Sequence, residues 1–291
     1  MLIFNRHFFF EDIATLNTRV KEGDKSINVS VQNDDILAST FTLQSPWVEM
    51  TGRRVRYYGT MPFEEMNPLC HTWGLEIEEV VTLIWRSSTE RIEYIKGKDY
   101  SDTLLQFWIF HTFFPLVLTL QRKYTILHVG AVVLHQKALL FSAFSYGGKS
   151  TLIDYFLKKG HAILCDDTVA IHQKKGYTAI ASYPFYRPYR EPETLGYPIE
   201  NFVQKPIPLH AMYCLEKTVK DAEVSICELY GAEKFKALHQ SSFVQFDFLK
   251  KENFVRIAEM AKVISVYKIQ IPWDEKRLEE VYQAIVTHNR V

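Results

Sequence analysis

The alternation of hydrophobic and polar positions predicts a run of strands in the first third of the chain. The segments KSINVSV (26–32), RRVRYYG (53–59) and RIEYIKG (91–97) alternate in polarity or are rich in aromatic and β-branched side chains. Turn-prone residues such as 33-NDD-35 separate them. The segment LEIEEVVTLIW (75–85) fits a helix or a strand, and its pattern leaves both open.

A 17-residue run without formal charge, 104-LLQFWIFHTFFPLVLTL-120, predicts an apolar helix. Ser101 or Asp102 is the expected N-cap, and the cations of 121-QRK-123 suit the C-terminal end. The run is shorter than the roughly 20 residues that span a bilayer, and it contains Gln, His and Pro. We expect a helix buried in the protein, with an interfacial or membrane-spanning helix as the alternative.

The pattern changes after residue 120 to alternating strands and helices. Buried strands are predicted at 125–134, 137–143 and 162–165. Between the last two, 149-KSTLIDYFLKKG-160 predicts a helix that stops at Gly160. Further along, the pattern predicts a hairpin of strands 168–173 and 177–182, strands 208–217 and 263–271, and helices 251–262 and 273–289.

The stretch 141-FSAFSYGGKSTL-152 nearly fits the phosphate loop G-x-x-x-x-G-K-[ST], and it lies between a predicted strand and a predicted helix. In such a loop the backbone N–H groups and the helix dipole face an anion. Lys149 would reach the β- and γ-phosphates, and Ser150 would bind Mg²⁺. The predicted nucleotide-binding residues are Ala143, Phe144, Ser145, Tyr146, Gly147, Gly148, Lys149, Ser150 and Thr151.

Ala143 stands where the motif has its first glycine. Alanine is adequate there if the backbone φ is negative, whereas a positive φ would cost about 1 kcal/mol. Gly147 and Gly148 let the backbone approach a phosphate closely. The alternative interpretation is a small-residue turn between a strand and a helix.

Two further features accompany the loop. Asp166 and Asp167 end a predicted strand, where one carboxylate can hold Mg²⁺ and the other can accept a proton from an attacking hydroxyl. An Asp-Asp turn that only caps a hairpin is the alternative. His128 lies on a neighbouring apolar strand and could orient one carboxylate, although a histidine in such a strand is commonly a core residue.

The composition narrows the function classes. The chain of 291 residues is 47% hydrophobic, which favours a packed core over disorder. Lys plus Arg and Asp plus Glu each total 34, so no broad basic face for nucleic acid is expected. Four scattered cysteines and an N-terminus unlike a signal peptide predict buried free thiols in a reducing, cytoplasmic protein.

The combination of 128-HVGAVVL, 143-AFSYGGKS-150, 158-KKGH-161 and 166-DD-167 resembles the catalytic domain of the HPr kinase/phosphorylase family and its looser relatives. The resemblance is specific over 125–173. It implies transfer of a phosphoryl group from ATP, with Mg²⁺, to a serine hydroxyl. On family roles Asp167 is the base, His128 its partner, Lys149 the phosphate clamp and Ser150 a metal ligand, with Asp166 supporting the metal or the base.

The resemblance weakens at 183-YPFYRPYREPE-193, where the family has a metal-binding Glu and a later catalytic Arg. Glu191, or Glu193, is the candidate replacement for the metal ligand, so the predicted metal ligands are Ser150, Asp166, Asp167 and Glu191. Arg187 or Arg190 would supply positive charge at the transition state. The alternative for this stretch is an irregular connector packed by its aromatic side chains.

The predicted fold class is α/β: an HPr-kinase-like, P-loop mixed sheet flanked by helices over 121–291, preceded by a β-rich half over 1–120. We expect the apolar helix to pack against the phosphate-loop sheet. The predicted acceptor is a peptide or small protein, such as a peptide natural-product precursor, with no nucleic acid or membrane partner. HPr kinases are hexamers, so a homo-oligomer stays open. The alternatives are a nucleotide-binding regulatory protein and a small-molecule kinase or carboxykinase-like enzyme.

Overall fold

The structure is a computed structural model. It describes residues 2–13, 25–65, 71–144, 146–187, 193–244 and 246–290. The chain divides into two compact units. Unit 1 is Met1–Lys123 with Pro192–Leu195, and unit 2 is Tyr124–Glu191 with Gly196–Val291. Both contain helices and mixed sheets, so the fold class is α/β.

Unit 1 is built on one nine-stranded sheet in the order β1-β2-β3-β9-β8-β7-β6-β4, with β5 paired to β6. The pairs β2–β3 and β3–β9 are parallel and the rest antiparallel. The strands are β1 Leu2–Ile3, β2 Arg6–Phe10, β3 Ser26–Val31, β4 Leu43–Gln44, β5 Val48–Met50, β6 Arg53–Gly59, β7 Thr72–Ile77, β8 Val81–Arg86 and β9 Arg91–Lys96. Helix α1 Asp35–Thr40 and a 3₁₀ turn at Phe63–Glu65 connect them.

The strands predicted at 26–32, 53–59 and 91–97 are confirmed as β3, β6 and β9. The ambiguous segment 75–85 is a hairpin made of the end of β7 and most of β8. Its tight turn contains Glu79 at φ 65, a left-handed conformation that a helix does not contain.

The predicted apolar helix is confirmed over Asp102–Leu120 as α2 Asp102–Trp108, a π-helical turn Ile109–Phe113 and α3 Phe114–Leu120. Ser101 is its N-cap and accepts a hydrogen bond from Leu104 N at 3.2 Å. Pro115 has no N–H to donate to the preceding turn, which accounts for the local departure from α-helical bonding.

Aromatic contacts fix this helix to the sheet of unit 1. The Phe8 ring lies 5.3 Å from Phe110 and 4.8 Å from Phe114, and Trp73 lies 4.8 Å from Phe113. The assignment of the helix to the phosphate-loop sheet was therefore wrong, because its aromatic partners belong to the N-terminal strands. The helix is long and apolar enough to cross a membrane by length and composition, yet 83% of that window is buried inside the protein.

Unit 2 begins with β10 and ends with α7. Its strands are β10 Thr125–Leu127, β11 Gly130–Leu134, β12 Lys137–Ala143, β13 Ala162–Cys165, β14 Val169–Gln173, β15 Tyr177–Ile180, β16 Phe185–Tyr186, β17 Tyr197–Pro198, β18 Ile207–Thr218, β19 Ser225–Glu228 and β20 Ser265–Pro272. Its helices are α4 Lys149–Lys158, α5 Gly231–Gln240, α6 Lys250–Val263 and α7 Leu278–His288, with 3₁₀ turns at Asp247–Leu249 and Glu275–Arg277.

The main sheet of unit 2 has the order β10-β14-β15-β18-β12-β11-β13, with β20 paired to β18 and β19 to β20. Alternate residues of β12 enter two separate cores: Leu140 joins the core that contains Ile257 of α6, whereas Phe141 joins the core that contains Phe156 of α4 and Ile285 of α7. The sheet therefore has helices on both faces.

Strand direction brings the ends of several strands to one edge of this sheet. Strands β12, β18 and β20 are parallel, and β11 runs antiparallel to both β12 and β13. The carboxyl ends of β12, β13, β18 and β20 and the start of β11 therefore share an edge. The residues that follow or precede these ends are the candidates for a site.

Most predicted elements of unit 2 are confirmed within one or two residues. Strands β16, β17 and β19 were not predicted, and three further differences concern one strand and two helices. The strand predicted at 125–134 is two strands, interrupted at His128 and Val129. The final helix starts at Leu278 rather than at residue 273. Helix α5 was not predicted, because its sequence GAEKFKALHQ carries only a short apolar stripe with Leu238 as its single buried residue.

Candidate functional site

The phosphate-loop candidate connects β12 directly to α4. Gly148 is the residue before the helix and has φ 85, a conformation that favours glycine. Gly147 N donates a hydrogen bond to Phe144 O at 2.8 Å, which closes the turn. Ala143 is the last residue of β12 and has no positive φ, so the cost considered for alanine at this position does not arise.

The interior of the turn has no room for a larger residue at Gly147. A Cβ there would lie 2.6 Å from Ala143 Cβ and 2.7 Å from Phe144 O. Tyr146 has φ 60, the left-handed region that costs a non-glycine residue about 1–2 kcal/mol. The loop thus holds a strained backbone around a tight turn, as ligand clamps commonly do.

Lys149 is the first residue of α4, and its side chain is buried. Its Nζ forms no hydrogen bond with any described residue and lies 3.5 Å from Asp167 Oδ1. A buried ammonium group is costly unless anions surround it. One carboxylate at this distance leaves donor capacity on Nζ for a further anion.

Asp167 is the point where the separate motifs meet. His128 Nδ1 lies 3.5 Å from Asp167 Oδ1, and an Arg187 side-chain nitrogen lies 3.7 Å from Oδ2. With Lys149, three basic side chains from three different segments therefore surround one carboxylate. All four residues are candidates from the sequence, and the fold brings them together.

Asp166, the residue before Asp167, is held by the segment that follows β16. Its Oδ2 accepts a hydrogen bond from Arg187 N at 2.9 Å, which ties the segment after β16 to the end of β13. Its Oδ1 is buried and has no hydrogen-bond partner among the described residues. A buried carboxylate oxygen without a partner is suited to a divalent cation.

His128 is positioned by a residue that sequence reasoning did not find. His128 N donates to Ser241 O at 2.7 Å, and Ser241 Oγ lies 2.9 Å from Ser142 Oγ on β12. Ser241 follows α5, 99 residues from Ser142 in the chain. No local pattern could have indicated this contact, since it depends on the docking of α5.

Two neighbouring protonated groups are kept neutral by burial. Burial raises the pKa of Tyr183 well above 10.0, with Asp167 raising it further and Arg187 opposing the shift. Burial likewise raises the pKa of the Cys165 thiol, whose Sγ donates to Val129 O at 3.2 Å. Neither group is suited to act as a nucleophile or base at neutral pH.

The remaining proposed residues fall into two groups. Ser145, Arg190 and Glu191 lie outside the described residues. Glu193 belongs to unit 1, where its two carboxylate oxygens accept hydrogen bonds from Arg53 at 2.9 and 2.7 Å. Glu193 also accepts one from the Trp108 indole at 3.0 Å. These bonds explain its burial as a structural ion pair.

The other loop residues are accessible. Phe144 is 83% exposed and Tyr146 is 76% exposed. Ser150 is the second residue of α4, and Thr151 follows it. Within the described ranges, no group of three or more His, Cys, Asp or Glu side chains is arranged to hold a metal ion.

A groove opens beside the loop on the side away from the two aspartates. It has a volume of about 170 Å³ and is lined by Gly148 and Thr151 on one side and by the segment after β20 on the other. Trp273, assigned to the final helix in the sequence analysis, lies in that segment and is half exposed. The loop therefore has the carboxylates on one side and a partly apolar groove on the other.

Comparison with solved structures finds several similar chains. The chain is similar to the structure of the Hpr(Ser) kinase/phosphatase from Coxiella burnetii, with 14% sequence identity and a TM-score of 0.35, over 56% of this chain and 95% of that chain. This is a distant structural relationship. No family model matches the sequence, and no curated protein matches it.

Proposed function

We propose that this protein is an ATP- and Mg²⁺-dependent kinase that transfers the γ-phosphoryl group to a serine hydroxyl of a peptide or small protein in the cytoplasm. The observation that carries the proposal is the convergence of Lys149, His128 and Arg187 on Asp167 beside a glycine turn at the start of a helix. That combination would put an anion clamp next to a proton acceptor.

The loop residues supply the binding energy for the phosphates. The backbone N–H groups at the start of α4 and the buried Nζ of Lys149 would hold the β- and γ-phosphates. Ser150 and Asp166 would hold Mg²⁺, which is bound in proteins through one or two carboxylates together with phosphate oxygens. When bound, the ion neutralises charge on the transferred group.

The carboxylate of Asp167 would perform the proton transfer. The serine Oγ attacks the γ-phosphorus, the bond from that phosphorus to the β–γ bridging oxygen breaks, and the hydroxyl proton moves to Asp167. His128 would hold Asp167 in position, and Arg187 would stabilise negative charge on the transferred group.

The test is a pair of variants assayed for ATP binding and for phosphoryl transfer to peptide pools that carry serine or alanine at the central position. Lys149→Ala should lose ATP binding, because the cation of the clamp is removed. Asp167→Asn should keep ATP binding and lose transfer by about 10²–10⁴-fold, the usual contribution of a general base. Binding is measured by calorimetry and transfer by labelled phosphate.

Asp154→Asn is the matched control, since this carboxylate on α4 forms an ion pair with Lys158 at 2.6 Å, away from the loop. It should leave both readouts unchanged. Transfer by Asp167→Asn at the wild-type rate would contradict the role of Asp167. ATP binding without transfer by the wild type would instead support a nucleotide-binding regulatory protein.

A further inference from the structure

We propose that the groove beside the phosphate loop binds the nucleobase of the nucleoside triphosphate, stacked on Trp273. This inference rests on the proposed function, because it assigns the part of the nucleotide that the phosphate loop does not hold.

The topology separates two sides of the phosphate loop. The aspartates follow β13, which lies beyond β11 on one side of β12, whereas Trp273 follows β20, which lies beyond β18 on the other side. All these strand ends share one edge of the sheet. A nucleotide whose γ-phosphate faces Asp167 therefore extends toward Trp273.

The indole of Trp273 lies directly against the loop. A Cβ built on Gly148 would be 3.3 Å from the Trp273 ring, so the ring and the loop backbone are in close contact. Trp273 N donates to Thr218 O at 3.2 Å, which anchors the segment to the end of β18. The segment that carries the ring is thereby held beside the phosphate loop.

The ring is half exposed although it follows a buried strand. Its exposed fraction is 53%, and the Nζ of Lys217 lies 3.4 Å from the ring centroid, over one face. A tryptophan supported by a cation on one face offers its other surface to a planar partner. Aromatic side chains are the usual stacking platform for nucleobases.

The rim of the groove favours an uncharged ligand group with hydrogen-bond donors. Asp274 and Glu275 line it, and their carboxylates accept hydrogen bonds. Two carboxylates repel phosphate, so this groove does not suit a second phosphate group. The exocyclic amino group of adenine, guanine or cytosine is a donor that uracil lacks. ATP should therefore bind more tightly than UTP.

The test compares two probes, Mg-ATP and Mg-tripolyphosphate, because only the first has a base. Trp273→Ala should weaken ATP binding by about tenfold to a hundredfold, the effect expected for losing one base–aromatic stack, and should leave tripolyphosphate binding unchanged. Trp273→Phe, which keeps an aromatic face, should retain most of the ATP affinity. Calorimetry on the full chain measures all of these.

Trp47→Ala is the matched control. Trp47 also stacks with a cation, with Arg56 4.5 Å from its ring centroid, but it belongs to unit 1. Its removal should not change ATP affinity. If Trp273→Ala lost affinity equally for ATP and for tripolyphosphate, the ring would support the loop rather than bind a base. That result would overturn the inference. Unchanged ATP affinity in that variant would also overturn it.

The same experiment separates the two proposals. If the wild type binds tripolyphosphate through Lys149 and binds ATP no more tightly, the proposed phosphate site stands and the proposed base site is wrong. If the wild type binds neither probe, the proposed function fails, and the inference that rests on it fails with it.

Discussion

Lys149 shows at the scale of one residue how the loop is prepared for an anion. Its ammonium group is buried, has no hydrogen bond from the described residues, and has one carboxylate, that of Asp167, at 3.5 Å. Burial of a charge with so few partners is unfavourable. A bound phosphate would complete its surroundings, so the free energy of binding would include relief of this cost.

Gly147 gives a prediction at the same scale. Gly147→Ala should weaken ATP binding by roughly tenfold to a hundredfold, the equivalent of about 1–3 kcal/mol of overpacking. The physical reason is the added Cβ, which would lie 2.6 Å from Ala143 Cβ and 2.7 Å from a backbone oxygen. Neither atom belongs to a flexible side chain, so the turn itself must move. Calorimetric titration with Mg-ATP measures the loss.

Gly160 provides the control at the other end of α4. It has φ 84 and open space around it, so Gly160→Ala should lower the free energy of unfolding by about 1–2 kcal/mol while leaving ATP affinity unchanged. If Gly147→Ala behaved in the same way, losing stability and keeping affinity, the tight turn would have no part in phosphate binding.

At the scale of elements, α4 and α7 lie on the same face of the unit 2 sheet and are connected by polar contacts. His161, just before β13, forms a 2.9 Å hydrogen bond with the Tyr282 hydroxyl of α7. Tyr155 of α4 donates a hydrogen bond to Glu279 of α7, and Lys159 forms an ion pair with the same carboxylate. These contacts fix the helix that follows Trp273.

The burial of His161 makes the stability of unit 2 depend on pH. Burial lowers the pKa of His161 below 6.5, so the unfolded chain binds more protons than the folded chain just below that pH. The folded chain therefore has this contribution to its stability in full above the pKa of the unfolded chain. It loses the contribution as the pH falls through 6.5 toward the pKa of the folded chain. The urea concentration at the unfolding midpoint should therefore decrease as the pH is lowered through this window.

His161→Gln should reduce this pH dependence, because glutamine does not titrate. Urea unfolding followed by circular dichroism, at pH values on both sides of 6.5, measures the slope. Some slope should remain, since burial also lowers the pKa of His71 and His210. An identical slope in wild type and His161→Gln would mean that His161 is equally protonated in the folded and unfolded chains.

At the scale of the whole molecule, each unit has a core of its own. In unit 1 the helix Asp102–Leu120 packs its aromatic side chains on strands from the same unit, and in unit 2 the helices cover both faces of the sheet. The most apolar segment of the chain is thus part of a protein core, where 83% of its window is buried.

The protein should accordingly remain in the supernatant of an ultracentrifuge run without detergent. Phe110→Ala should lower the free energy of unfolding by about 3–5 kcal/mol, because it empties a fully buried site in contact with Phe8. Thr103→Ala, at an exposed position of the same helix, should change it by less than about 0.5 kcal/mol. Urea unfolding measures both. A requirement for detergent would contradict this assignment.

The sequence by itself determined most elements of unit 2 and the candidate residues. Local patterns were sufficient for β12, the glycine turn and α4, because the turn, the helix stop at Gly160 and the apolar periodicity all depend on near neighbours. The sequence also offered Lys149, His128 and the two aspartates as candidate residues in and near the loop. These inferences required only residue types and their spacing.

Only the tertiary structure decided which of these residues meet and what else surrounds them. The convergence on Asp167 depends on strand order, and the position of His128 depends on Ser241 at the end of α5. The position of Trp273 depends on the parallel pairing of β18 and β20. The partner of the apolar helix was also decided at this level, because hydrophobic burial is not directional and any apolar sheet face could have covered it.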